Sequence, residues 1–247
     1  MNLNPEHSGL FVYIVDVFAE KLHTGSQLAV VIDPTRLGGV MMLSIAKGFG
    51  FSETTFVLQN GDSGDGFDVR IFTPEQELPF SGHPTLGTAF VIQKEILRRE
   101  LERITLYLKI GTVPVDIENT GNGKELFWMT HPEPKFGEEH GPEKIAPILG
   151  LTHDYIGNNF PCCEDSTDFP CFIVPLRDLT SLRKSKVDGD KYYSYIENTS
   201  SRAILVFMPE TYDESNDLCV RVLGDYYGIP EDPATGAVLR AALGYTC

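Results

Sequence analysis

The stretch SGHPTLGTAF, residues 81–90, has a fainter echo in PEDPATGAVL, residues 230–239. Each contains His or Asp followed by Pro-x-x-Gly, then passes into small and apolar residues that suit a helix. Proline fits the first helical position, where its missing N–H would have gone unsatisfied anyway. The echo extends upstream, since Val69-Arg70-Ile71-Phe72 before the first stretch resembles Val220-Arg221-Val222-Leu223 before the second. Strand, turn, proline, His/Asp-Pro step and helix recur in one order, which a duplicated unit explains better than chance. The pattern predicts an α+β chain of two pseudo-symmetric halves whose equivalent helix starts face each other.

A chain of 247 residues accommodates one large domain or two ordinary ones. Hydrophobic residues make up 42% and charged residues 22%, enough for a substantial core. Acids outnumber bases by 35 to 20, for a net charge of −15. Such a chain repels phosphate backbones and anionic lipid, so neither nucleic acid nor membrane is an expected partner. Any anionic small molecule must be held by local groups, because the overall field opposes it. Five cysteines, with Cys162 and Cys163 adjacent and no C-x-x-C spacing, indicate thiols in a reducing compartment rather than a disulfide framework. The start, MNLNPEHSGLF, lacks the basic and apolar regions of a signal peptide. No apolar run approaches the roughly 18–20 residues that cross a bilayer. The expected location is the cytoplasm.

Residue alternation and β-branching predict a buried strand over 10–19 and another over 27–33, with Gly25 marking the turn between them. RLGGVMMLSIAKGFG, 36–50, reads as a helix ended by Gly48 or Gly50. Strands follow at 53–59 and 67–73, joined by the acidic hairpin connector NGDSGDG. A long helical pattern runs from His83 to about residue 101, and paired strands follow at 102–108 and 112–118. The polar, glycine-bearing segment NTGNGK predicts a boundary between an N-terminal domain, 1–118, and a C-terminal domain, 119–247. In the second half ELFWMT, CFIVPL, AILVFM and LCVRVLG read as strands, and EKIAPILG and DGDKYYSYIE as short helices.

His83 and Asp232 fall near the N-caps of the two predicted helices. Aspartate is a good cap and histidine a weak one, so capping accounts for Asp232 more readily than for His83. Gly82, with Gly87 and Gly236 in the first turns, would let backbone amides approach a ligand. Each helix start carries about half a positive charge and receives a carboxylate without any lysine. Glu53, in FSETTFV, opens an apolar strand beside Ser52 and two threonines. It is either exposed at a strand end or enclosed in a pocket, and residue-type preference favours the surface.

Taken as a set and in order, VDVF, LAVVID, FSETTFVL, VRIFTP…ELPFSGHPTLGTA and EDPATGA resemble the PhzF-like phenazine-biosynthesis family. That family shares the diaminopimelate epimerase fold. The resemblance is dense over 15–89 and returns over 220–236. It implies two similar domains, each a curved, mostly antiparallel sheet wrapped around a central helix, with the active site in the cleft between them. It also implies proton transfer without a cofactor or a metal. In the isomerase branch of that family a glutamate takes a proton from one carbon and returns it to another. The matching residue here is Glu53, which moves it from the surface to a pocket. His83 and Asp232 match the polar partners of that glutamate, and Ser52 lies beside it. The amides of Gly82, His83, Gly236 and Ala237 match the region that holds the substrate carboxylate. The implied partner is a small carboxylate-bearing metabolite, and a homodimer is the common assembly for such enzymes.

The chain also departs from the family. No thiol stands at either helix start, which disfavours the paired-cysteine racemisation of diaminopimelate epimerases. Gly25-Ser26-Gln27 replaces the common Gly-Asn-Pro, and Ala237 replaces the usual serine, removing a hydroxyl but keeping the amide. Family members continue for several strands after the second central helix, so the second domain is expected to lack its last strands. The leading expectation is an isomerase with Glu53 as general acid/base. The alternative is a non-catalytic binding or adaptor protein, or a truncated inactive relative that keeps the fold.

Overall fold

Strand pairing divides the chain into two units, Met1–His131 and Pro132–Cys247. The computed structural model describes residues 10–19, 21, 24–32, 37–58, 66–121, 123–130, 135–165 and 170–232. The first unit contains β1 (Phe11–Val17), β2 (Ser26–Ile32), α1 (Gly39–Phe49), β3 (Glu53–Val57), β4 (Gly66–Phe72), β5 (Glu77–Leu78), α2 (Gly82–Val91), β6 (Arg103–Leu108), β7 (Gly111–Asn119) and β8 (Glu125–Met129). Its sheet runs β1-β2-β3-β4-β6-β7-β8, with β5 beside β4. The parallel pairs, β2–β3 and β4–β6, are joined by crossovers that carry α1 and α2. Helix α2 touches β1 and β8, the two ends of that order, as well as β2, β3 and β6, so the sheet curls around it. Helix α1 lies on the opposite face, where Met42 and Ala46 pack on Val31, Phe56 and Phe72.

Strand β3 is therefore covered on both faces, and all five of its residues are buried. Successive side chains point to opposite faces. Phe56 faces α1, whereas Thr55 faces α2 and places its Oγ1 2.8 Å from that of Thr88. Glu53 shares the parity of Thr55 and turns the same way. The close approach of α2 depends on Gly87, where a β-carbon would lie 2.7 Å from both Leu28 Cδ2 and Val17 Cγ2. Gly87 thus serves helix–sheet packing. Helix α1 ends at Gly50, which is left-handed with φ 68°. Helix α2 passes into a π-helical turn, Ile92–Leu97, closed by Arg98 at φ 51°, so it stops short of residue 101. The first strand is not buried as expected: Phe11, Val12 and Ile14 are 43%, 40% and 56% exposed. The reason is that, among the described residues, β1 is the sheet edge, paired with β2 and not covered by α1.

The second unit contains β9 (Phe136–His140), α3 (Pro142–Ile145), β10 (Cys162–Asp165), β11 (Cys171–Pro175), α4 (Leu179–Lys184), α5 (Gly189–Ile196), β12 (Ala203–Met208), β13 (Cys219–Gly224) and β14 (Ile229–Asp232). Its sheet runs β14-β13-β12-β11-β10-β9. Ile145, Leu149, Phe172, Val174, Tyr192 and Val206 form its main core between the helices and one face of the sheet.

The duplication is real. Strands β1-β2-β3-β4-β5 and β10-β11-β12-β13-β14 pair in the same series: antiparallel, parallel, antiparallel, antiparallel. Thr54 pairs with Phe72 as Ile204 pairs with Leu223, so the ladder has the frame that aligns 69–72 with 220–223. Arg70 donates to both carboxylate oxygens of Glu77 at 2.8 and 2.9 Å, and Arg221 to both of Glu231 at 2.7 and 2.8 Å. In that frame the counterpart of Glu53 is Ala203, so the acid occurs in one half only.

Strand β8 pairs with β7, which carries the first sheet through ELFWMT and past the 118/119 division; the contact-defined break falls at His131/Pro132. Asp232 ends β14 opposite Val222. The helix expected after it, with Gly236 and Ala237, lies outside the described residues, as does most of the 60–66 connector. Among the described residues no helix is long and apolar enough to cross a membrane.

Gly87→Ala is expected to cost about 1–3 kcal/mol through overpacking. Gly48→Ala is the control: its β-carbon would meet nothing within 4 Å inside α1, so it should be neutral or stabilising. Urea unfolding of both variants checks the contrast, and equal effects would refute the packing role.

Candidate functional site

Glu53 points inward from the start of β3 and is 3% exposed. Ser81 Oγ donates a hydrogen bond to Glu53 Oε1 at 3.1 Å. His83 Nε2 lies 3.4 Å from Glu53 Oε2 and 3.3 Å from Ser26 Oγ. Ser26, Ser81 and His83 are buried with it. One carboxylate, one imidazole and two hydroxyls therefore form a connected cluster drawn from β2, β3 and the start of α2. A buried charge is costly unless it is paired and hydrogen-bonded; Ser81 supplies a hydrogen bond to Glu53, and His83 supplies a counter-charge when its ring is protonated. His83 Nε2 thus lies between a carboxylate oxygen and a serine hydroxyl, and its donor or acceptor role toward each follows from the tautomer of the ring.

Local structure brings each group into place. Ser26 opens β2 directly after Gly25, whose φ is 79°; a β-carbon there would sit 2.3 Å from Val17 O, so the turn needs glycine. Helix α2 begins at Gly82, with Ser81 as an extended N-cap at φ −157° and ψ 146°. That places His83 second and Pro84 third in the helix, two residues later than a first-position proline. Proline is still tolerated, because first-turn N–H groups have no acceptor within the helix. Ser81 is tied down through its carbonyl, which accepts from Thr85 Oγ1 at 2.7 Å.

The structure brings Glu53 and His83 together, with Gly82 as the buried first residue of the same helix. Ser52 is partly buried just before Glu53, while the hydroxyl that reaches Oε1 belongs to Ser81. Asp232 is 7% exposed in the second unit. Gly236 and Ala237 lie outside the described residues. Sequence reasoning missed Ser26 and Ser81 as members of the cluster. A signal was present in each case: Ser26 occupies the usual asparagine position, and Ser81 immediately precedes the Gly-His step.

A second buried acid, Glu164 on β10, is differently placed. Ser200 and Ser201 donate to its Oε2 at 2.7 and 2.8 Å, His140 Nε2 lies 3.1 Å from Oε1, and Tyr195 OH is 2.6 Å from His140 Nδ1. Burial pushes the Glu164 carboxyl up, but the bonds from Ser200, Ser201 and His140 together outweigh it and leave the pKa lowered. These groups satisfy one another and clamp β9 and β10 to α5 and the segment that follows it.

The phenazine biosynthesis-like protein family, PhzC-PhzF, matches residues 15–246. An uncharacterized isomerase of Mesorhizobium japonicum is 30% identical over 237 residues, covering 94% of this chain and 78% of the relative. A trans-2,3-dihydro-3-hydroxyanthranilate isomerase of Pseudomonas aeruginosa is 36% identical over 148 residues, covering 60% of this chain and 50% of that enzyme. Among solved structures, a Bacillus anthracis phenazine biosynthesis protein of the PhzF family aligns with a TM-score of 0.84 at 30% identity, over 95% of this chain and 78% of its own.

Because the folded pKa of Glu164 lies below the unfolded value of about 4.3, its contribution to stability is present above that value. It is lost as pH falls through the folded pKa. The Ser200→Ala/Ser201→Ala double variant should lose stability at pH 7 and show a shallower further loss on acidification. Urea unfolding at pH 7 and pH 3 measures both, and an unchanged pH dependence would remove the clamp.

Proposed function

This chain belongs to the phenazine biosynthesis-like (PhzC-PhzF) family of isomerases, and on that premise we propose that it moves a proton within a small carboxylate-bearing metabolite, with Glu53 as the single general acid/base. The observation that carries the reading is the enclosure of Glu53, 3% exposed, with a hydroxyl donor on one oxygen and an imidazole beside the other. Glu53 takes a proton from a substrate C–H, and the electron pair left behind delocalises into the unsaturation of the substrate. The carboxylic acid so formed returns the proton to a second carbon, which restores the carboxylate and balances the reaction. His83 steadies the carboxylate as it gains and loses charge. The first-turn amides at Gly82 and His83 carry the partial positive charge that receives the substrate carboxylate. The alanine at 203, where the repeat would place a second acid, supports one base working twice over two bases working in opposition.

Glu53→Gln keeps the shape and removes the basicity. With trans-2,3-dihydro-3-hydroxyanthranilate as the probe in deuterated water, the wild-type protein should wash deuterium into the substrate. The variant should be slower by roughly 10²–10⁴-fold while still binding. Equal binding by both forms with no exchange in either would instead make this a binding protein.

The reading extends to a cytoplasmic enzyme that works as a homodimer. Strand β1, an edge among the described residues, supports self-association: FVYIVDV carries one charge, no lysine and no proline, the residues that usually protect a strand edge. Light scattering should give twice the chain mass for the wild type and the single-chain mass for Ile14→Lys. A monomeric wild type ends the dimer.

A further inference from the structure

We propose that Ser81 is a positioning residue of this site: its hydroxyl holds Glu53 Oε1, so that Oε2, the oxygen beside His83, is the one that exchanges protons. The inference rests on Glu53 being the base. Ser81 occupies the N-cap of α2, where serine ordinarily turns its oxygen back to accept a first-turn N–H. Here the side chain makes no capping bond. The same position in α4 and α5 does cap, since Asp178 accepts from the Ser181 N–H and Asp188 from the Lys191 N–H. In α2 the hydroxyl is diverted to Glu53, 28 residues away along the chain and 3.1 Å away in space.

That bond is held from both ends. The Ser81 carbonyl is fixed by Thr85 Oγ1 at 2.7 Å, and α2 is pinned to β3 by the 2.8 Å Thr55–Thr88 hydroxyl pair, two residues from Glu53. Both partners are buried, so water does not compete strongly for either. The Ser81 hydroxyl donates to Oε1 and so ties that oxygen to the start of α2. Rotation of the carboxylate, which would interchange the oxygens, breaks the bond to Ser81. A proton taken by Oε2 therefore leaves from Oε2. The Ser81 hydroxyl also does not engage the first-turn amides that a capping serine would occupy.

The test compares Ser81→Ala with Ser81→Thr, which keeps the hydroxyl. Carboxyl-¹³C NMR of Glu53, assigned by its loss in Glu53→Gln, reads the hydrogen bond without any substrate. Its resonance should move in Ser81→Ala and return in Ser81→Thr. In the deuterium-exchange assay kcat should fall roughly tenfold to a hundredfold in Ser81→Ala with KM little changed, and threonine should restore it. An unmoved resonance, or a folded threonine variant that restores neither signal, overturns the assignment. A resonance that moves and is restored, in a wild-type protein that exchanges nothing, leaves the grip of Ser81 on Glu53 standing and removes Glu53 as the base.

Discussion

Helix α2 lies so close to β1 and β2 that a single methyl group at position 87 would overlap Leu28 and Val17. The arrangement of the site follows from that contact. With the helix pressed against the sheet, Thr88 meets Thr55, and the residue two positions earlier on the same strand, Glu53, is turned toward the start of the helix. Taking a carboxylate out of water costs several kcal/mol even after relaxation. The cost is offset by groups that the same packing delivers: the Ser81 hydroxyl, the His83 ring and the positive end of the helix.

The internal repeat separates scaffold from chemistry. Both halves keep the ladder series and the bidentate arginine–glutamate bond, which ties the last strand of each repeat to its neighbour. The arginines hold Glu77 and Glu231 below the usual carboxylate range in the same way. The buried acid is not repeated, because Ala203 stands in the equivalent place. What is duplicated builds the sheet, and what is single is available for function. Glu164, on β10 within that frame where β1 carries Ile14, is also unrepeated, but its carboxylate is committed to neighbouring side chains.

The elements legible beforehand are those with strong periodicity and clear punctuation: β2, β3, β4, β11, β12 and β13, with α1 ended at Gly50. Strands β9, FGEEH, and β10, CCED, are short and polar, and they exist because a neighbouring strand pairs with them rather than because of their own composition. The composition of β8 marks it as a strand but does not mark its partner, and only its pairing with β7 puts it in the first unit. Composition likewise could not distinguish an edge strand from a central one at β1, because an apolar β-branched segment reads the same in either position.

The amino-acid sequence by itself determined the duplicated frame, the identity of the acid and imidazole, and the family to which they point, since all of these reside in residue types at fixed spacings. Only the tertiary structure decided that Glu53 is enclosed rather than exposed, that Gly87 serves packing, and that Ser81 and Ser26 are the hydroxyls that join the cluster. The reason is directional. Which side chains meet depends on strand parity, helix rotation and the distance between two packed surfaces, and those quantities are settled by contacts between segments far apart in the chain.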